Sequence, residues 1–497
     1  MKYLLISALL LSTQASASDQ SEYQQWLQQT RSDFQSYLDE NDKAFISFLQ
    51  QKWTTVDVSP AEQRDPKPKP EQPPQAPKPA PKPAPQPEPQ TKPPVSQPET
   101  PVVKIPDEVK PKPVTPPVAD ERPQVKPKPP VVSKPQGPVV NFDFYGYALS
   151  VPYDRKMKVG FNSRPDSKAI AAYWQKIASA PHQQTVDYLK RTAAELQLND
   201  WGTAQLFGAF AANLQRGEAS RSLMTWFLLV KAGYDARVAY NSRIFLLLTS
   251  DQQIFGVTFF RLDNKRYYAV QLNGQQLKPG KVYTYEGQHE SGARPLDFSD
   301  PVRFAAKGKE EDRELQFSYL GKRYDINVAY PSRYVDYFSS YPQLSLPNYF
   351  KAGLPPVTAQ SLLQQLKPVV QGQSETEAVN RLLRFVQTAF GYETDEDQFH
   401  EENYLFPLET LHYRNSDCED RAALFAWLTE SLLGLDVVIL SYPGHVATAV
   451  AFHGKVQGDT WQFGGKSYVV ADPTYINADI GMTIPRYAGV TPQIEAF

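Results

Sequence analysis

Proline dominates the stretch from Ser59 to Pro138. Runs such as Pro66-Lys67-Pro68-Lys69-Pro70 and Ala80-Pro81-Lys82-Pro83 recur, and most of the chain's 45 prolines fall here. Each proline fixes its φ angle and lacks a backbone donor, so neither a helix nor an interior strand runs through such a segment. With Lys, Gln, Glu and Val filling the gaps, the composition favours extended polyproline II and buries no core. At about 3.1 Å per residue the fully extended spacer would reach roughly 250 Å. It separates a short N-terminal part from a globular part, rich in Tyr and Phe, that begins at Val139. That globular part is too long for one ordinary domain.

Met1 to Ala17 reads as a secretory signal. Lys2 supplies the charge, Tyr3 to Leu11 the apolar core and Ala15-Ser16-Ala17 the small-residue cleavage site. The apolar run is too short to span a bilayer, and no later run is longer. The expectation is an exported protein, periplasmic in a bacterium or secreted, with no membrane span. Residues 18–58 hold one amphipathic helix, Asp19 to Trp53. Tyr23, Leu27, Thr30, Phe34, Tyr37, Ala44 and Phe48 follow a heptad seam, and Asn41 is its polar exception. With the spacer behind it, this face is expected to move independently and to find a partner by self-association or on an envelope protein. Folding back onto the main body is the other option.

A repeat divides the remainder. Shifted by 201 positions, Gly217 to Leu272 falls without a gap on the segment that begins at Cys418. Glu218 meets Glu419, Leu223 meets Leu424, Trp226 meets Trp427, Asp235 meets Asp436 and Tyr267 meets Tyr468. The starts match as well, Phe142-Asp143-Phe144-Tyr145-Gly146 against Phe317-Ser318-Tyr319-Leu320-Gly321. The second copy is longer before its cysteine, with the extra residues expected around Gly391 to Asn403. Two tandem α+β units follow, over residues 139–309 and 310–497.

The second unit carries chemistry. Cys418 is the only cysteine of the chain. A thiol becomes a nucleophile when an imidazole takes its proton, and a carboxylate behind the imidazole fixes its tautomer. Cys418 opens a helix read over Ala422 to Leu433, where the dipole and free N–H groups favour negative charge. His445 opens a strand after a Pro443-Gly444 turn. Asp472 closes the next strand, Tyr468 to Ala471, and Pro473 stops it. Adjacent strands would thus hold base and orienter side by side. A lone unpaired cysteine in an exported protein also marks a reactive thiol.

These residues resemble the transglutaminase-like superfamily, whose core pattern is a Cys at a helix start, a His on a strand and an Asp in an Asp-Pro-Thr segment. Asp417-Cys418, Leu433-Gly434-Leu435-Asp436, His445 and Asp472-Pro473-Thr474 carry the likeness. The sequence departs at His445-Val446-Ala447, where the family usually has His-Ala-Trp, and at Ser416, where it usually has Gly. Pro407-Leu408-Glu409 ahead of Asp417-Cys418-Glu419-Asp420 is similar to the bacterial transglutaminase-like cysteine peptidases of the periplasm. The resemblance implies an α+β, papain-like fold for both units. The first copy is degenerate, because the offset puts Gly217, Ile244 and Gln271 at the places of Cys418, His445 and Asp472. It implies an exported cysteine hydrolase or acyltransferase acting on amide bonds of proteins or cell-wall peptides, with Cys418, His445 and Asp472 catalytic. The competing class is a non-catalytic envelope adaptor built on the helix, spacer and paired domains.

No cofactor is expected. Asp417, Glu419 and Asp420 crowd the cysteine and are candidate calcium ligands, as are the carboxylates beside the Cys in the periplasmic peptidases; alternatively Asp417 caps the helix and Asp420 pairs with an arginine. His412 is expected in a loop near the cleft or on the surface, and His453 in a turn with Gly454. His182, His289 and His400 lack partners at metal-ligand spacing. A net charge of −2 argues against a nucleic-acid partner.

Overall fold

The computed structural model describes residues 40–62, 75–77, 103, 137–270, 272, 281–287 and 292–497. The secretory signal, Phe34, Gln271, His289 and most of the spacer lie outside them. The architecture is mixed α/β, and among the described residues no helix is long and apolar enough to cross a membrane.

Helix α1 covers residues 40–49 and is followed by strand β1, Thr54–Val56. A two-stranded hairpin comes next, β2 (Val139–Phe144) and β3 (Tyr147–Pro152). Helices α2 (Ser167–Ala178), α3 (Gln183–Glu195), α4 (Asp200–Leu214) and α5 (Glu218–Lys231) lead into β4 (Ala236–Tyr240), β5 (Ile244–Leu248), β6 (Phe259–Leu262), β7 (Lys265–Ala269) and β8 (Val282–Thr284). The second unit opens on the hairpin β9 (Glu310–Tyr319) and β10 (Lys322–Pro331). Then come α6 (Arg333–Ser339), α7 (Pro347–Ala352), α8 (Pro356–Val370) and α9 (Glu375–Ala389). A short insert follows: β11 (Gly391–Tyr392), α10 (Asp395–Gln398), α11 (Pro407–His412) and β12 (Asn415–Ser416). Helix α12 (Cys418–Leu433), β13 (Val437–Tyr442), β14 (His445–Val450), β15 (Thr460–Phe463), β16 (Lys466–Ala471) and β17 (Gln493–Glu495) complete the chain.

The two main sheets have matching strand orders. One runs β8-β4-β5-β7-β6, with β1 added outside β8; the other runs β17-β13-β14-β16-β15. Both hairpins turn through a pair of residues at positive φ, Tyr145-Gly146 and Leu320-Gly321, as primed hairpin turns require. Gly146 is also held by crowding, since a Cβ there would lie 1.8 Å from the Lys307 carbonyl oxygen.

The strand registers correct the ungapped offset. Ala236 pairs with Leu248, whereas Val437, its counterpart at 201, pairs with Val450. The β4–β5 loop has three residues and the β13–β14 loop two, so β5 and β14 correspond at a shift one residue larger. The β5–β7 pair Leu247–Ala269 and the β14–β16 pair Thr448–Ala471 give the same answer. By register, Arg243 rather than Ile244 stands opposite His445. Alternation along a strand explains the consequence: Ile244, Leu246 and Leu248 face the core under α5, and Val446 and Val450 do the same under α12. The β7 and β16 registers return to the original offset, so a second one-residue change cancels the first.

Helix α1 corrects the expectation of an independent N-terminal arm. Phe45 and Leu49 are buried, and Phe45 meets Trp174 edge-on at 4.7 Å and Trp226 at 6.0 Å. Asp42 accepts from Trp174 Nε1 at 3.1 Å and pairs with Lys231 at 2.6 Å. The helix therefore folds back onto α2 and α5. The spacer is fastened too at its described points. Ser59 bridges Phe259, Ala76 N–H donates to the Ile476 carbonyl at 2.8 Å, and Val103 exchanges backbone hydrogen bonds with Gln373 and Gly372.

The apolar core is continuous between the units. Tyr145 from the first hairpin, Phe304, and Tyr337 and Tyr341 from the second unit form one aromatic contact series, and Phe338 meets Phe406 at a tilt of 39° with centroids 4.5 Å apart. Because Phe45 is buried among large aromatics, Phe45→Ala should lower unfolding free energy by about 3 kcal/mol. Chemical denaturation reads this directly, and a detached helix would give a value near zero.

Candidate active site

Alanines at positions 422, 423 and 426 with Leu424, Phe425 and Leu428 make α12 apolar almost all round, and it is buried accordingly. The helix begins at Cys418, where the sequence places the thiol, and Asp417 is its N-cap. Gly434 ends it in the left-handed conformation, φ 67°, the usual helix stop. Below it lie β13, β14 and β16. The Pro443-Gly444 turn returns the chain so that His445 is the first residue of β14, and Asp472 follows the last residue of β16.

Cys418, His445 and Asp472 converge at this corner and are 3%, 4% and 3% exposed. His445 Nε2 is 2.7 Å from Asp472 Oδ2. The other carboxylate oxygen, Oδ1, accepts from the Thr474 and Tyr475 N–H groups at 2.9 and 3.2 Å. Tyr487 lies parallel on the imidazole, with centroids 5.4 Å apart and 5° between planes. Burial alone would lower the imidazole's pKa. The Asp472 charge and hydrogen bond, with a further contribution from the Cys418 sulfur, outweigh it and raise the value to about 10. The sulfur accepts from Val446 N–H at 3.4 Å and donates to Glu419 Oε2 at 3.0 Å.

Glu419 as the thiol's neighbour was missed as a contact by the sequence reading, which weighed it only as a cation ligand. Ligand atoms of Asp417, Cys418 and Glu419 lie within 4.8 Å of one another, as do those of Asp395, Asp417 and Asp420, and those of Asp395, Glu402 and Glu419. These carboxylates are the oxygen donors from which a hard cation could be held. Asp395 and Glu402 come from the acidic insert, in and after α10. Asp420 accepts from Leu405 N–H at 2.9 Å and from Asp417 N–H at 3.3 Å, closing the helix start. Arg421 is wholly buried and spends its donors on the Ser416 hydroxyl and the Gln387, Phe390 and Gly391 carbonyls. Burial lowers its pKa to about 10 against the pull of Tyr392, Asp417, Asp420 and Cys418.

The other histidines among the described residues lie elsewhere. His412 is the last residue of α11, not a loop residue, and meets the Tyr330 hydroxyl at 2.8 Å. His453 pairs with Glu375 at 2.6 Å. His182 precedes α3 with its ring against the Ala180 carbonyl, and His400 is exposed. In the first unit, Arg243 pairs with Glu218 at the corner where the second unit has His445 and Glu419. Ile244 is buried in the core.

No family model, curated protein or solved structure matches this chain.

Two outcomes are expected. Glu419→Gln removes a negative charge beside the sulfur, so the native protein should react several-fold faster with a thiol reagent at pH 7. Timed alkylation measures this. Glu409, on α11, accepts from Phe406 N–H at 3.0 Å, and burial raises its carboxyl from 4.5 to about 8. Its folded state holds the extra proton, so this stabilising contribution is complete below pH 4.5 and is lost as pH rises towards 8. Glu409→Gln should flatten the stability profile across that window, as read by denaturation at stepped pH.

Proposed function

We propose that the chain is an exported cysteine hydrolase or acyltransferase acting on amide bonds of proteins or cell-wall peptides, of the transglutaminase-like kind. The observation that carries the reading is the joining of the lone thiol at a helix start to a buried imidazole–carboxylate pair. Three groups 27 residues apart in sequence, at the start of a helix, the start of one strand and the end of its neighbour, meet at one corner.

The roles follow from the geometry. The Cys418 proton passes to the imidazole of His445, and the sulfur attacks the amide carbonyl. Negative charge developing on the carbonyl oxygen is met by N–H groups at the start of α12. Collapse gives a thioester, and His445 gives its proton to the leaving amine. Water, activated by His445, then releases the acid; an amine in place of water would complete a transfer instead. Asp472 keeps one nitrogen of His445 occupied so that the other serves the sulfur. In the resting arrangement the thiol donates to Glu419, so attack requires that proton to be redirected.

The matching strand orders, hairpin turns and site-helix positions favour a duplication over residues 139–309 and 310–497. The first copy is catalytically inert on this reading. Gly217 replaces the nucleophile, and the Arg243–Glu218 ion pair stands where the base would be.

Cys418→Ala should abolish amide cleavage or transfer in a peptide-library assay. Asp472→Asn should reduce turnover by about 10³- to 10⁴-fold with the fold retained by circular dichroism. A native protein whose Cys418 stays unreactive until unfolded, with no activity lost in either variant, would leave a binding protein instead of an enzyme.

A further inference from the structure

A cavity of about 320 Å³ opens in the first unit, where the first turns of α5 meet β5. It is at the small end of ligand pockets, which run from roughly 300 to 1,000 Å³. The equivalent corner of the second unit carries the buried Cys418 and Val446. Here the lining from α5 is Glu218, Arg221, Ser222 and Thr225, and that from β5 begins at Ile244.

The floor is apolar, made by Ile244, Leu246, Val270 and Leu272. Gly208 of α4 forms part of the wall, and a Cβ there would approach Leu272 Cδ1 to 3.0 Å. A side chain at 208 would therefore narrow the space. The lining polar groups are mostly committed. Gln205 is bonded to the Tyr145 hydroxyl at 3.0 Å and the Ser340 hydroxyl at 2.6 Å. Thr225 donates to the Arg221 carbonyl at 2.9 Å.

The charges nearly cancel, with one exception. Glu218 pairs with Arg243, and Asp143 lies 3.7 Å from Arg333. Arg221 is the lining cation that forms no ion pair among the described residues. Its Nε donates to the Gln215 carbonyl at 3.3 Å, and neither terminal nitrogen has a partner among the described residues. A guanidinium at the rim of an apolar pocket matches a carboxylate attached to an apolar group.

We infer that this cavity binds the carboxyl-terminal residue of a peptide, with an aliphatic side chain on the Ile244–Leu246–Val270–Leu272 floor and the terminal carboxylate on Arg221. The site stands on the cavity and its charge balance, independently of chemistry at Cys418.

The test is calorimetric titration of the full exported chain with N-acetyl-leucine and with its uncharged amide. Saturable binding of the acid is expected, with the amide at least tenfold weaker. Arg221→Gln should weaken the acid at least tenfold and leave the amide unchanged. Ser222→Phe, a half-buried lining position, should block both, and circular dichroism checks that each variant is folded. Cys418→Ala should bind as the parent does. Absence of saturable binding, equal affinity for acid and amide, indifference to Ser222→Phe, or loss in Cys418→Ala would each overturn the assignment.

Discussion

Arg421 is fully buried, and its guanidinium ties together the end of α9, the start of the insert and Ser416, two residues before the site helix. A buried cation needs its donors satisfied, and here backbone carbonyls do most of that. The arrangement fixes where α12 begins, and with it the position of the Cys418 sulfur. Gln387, on α9, extends the same tie by donating to the Asp472 and Ala478 carbonyls. Nucleophile and orienter are thus referenced to one helix through two adjacent polar side chains.

The environment of the sulfur is more acidic than a simple triad would have. Glu419 receives the thiol hydrogen bond, and Asp395, Asp417 and Asp420 are packed behind it. Like charges at these separations repel strongly in a low-dielectric interior. The acidic insert is the structural source of that crowding, since it delivers Asp395 and Glu402 to the start of α12. The first unit joins α4 to α5 by only a three-residue link, Gln215 to Gly217, and among the described residues gathers no such cluster at that corner.

Much of this was legible in the sequence, for physical reasons that differ by element. The α12 pattern and the Gly434 stop announce a buried helix, and Pro443-Gly444 announces the turn that sets His445 at a strand start. The mixed α/β class follows from these same signals. The register of β5 was not legible. Two one-residue changes in loop length cancel along the alignment, and only strand pairing separates Ile244 from Arg243. The docking of α1 was also hidden, because an apolar stripe widened by Phe45 and Leu49 beside the heptad seam has the same spacing whether another chain or its own body covers it. Ala76 and Val103 look like any other residue of a proline-rich run; what singles them out is the edge each meets.

The aromatic series through Tyr145, Phe304, Tyr337 and Tyr341 crosses the point near Glu310 where the second hairpin begins. Cutting the gene at that point would leave each fragment with a row of naked rings. A recombinant fragment beginning at Glu310 would carry Tyr337, Phe338 and Tyr341 into water, and its loss of solubility would say nothing about catalysis. One apolar core joins the two halves, and dissection by truncation would measure the wound rather than the parts.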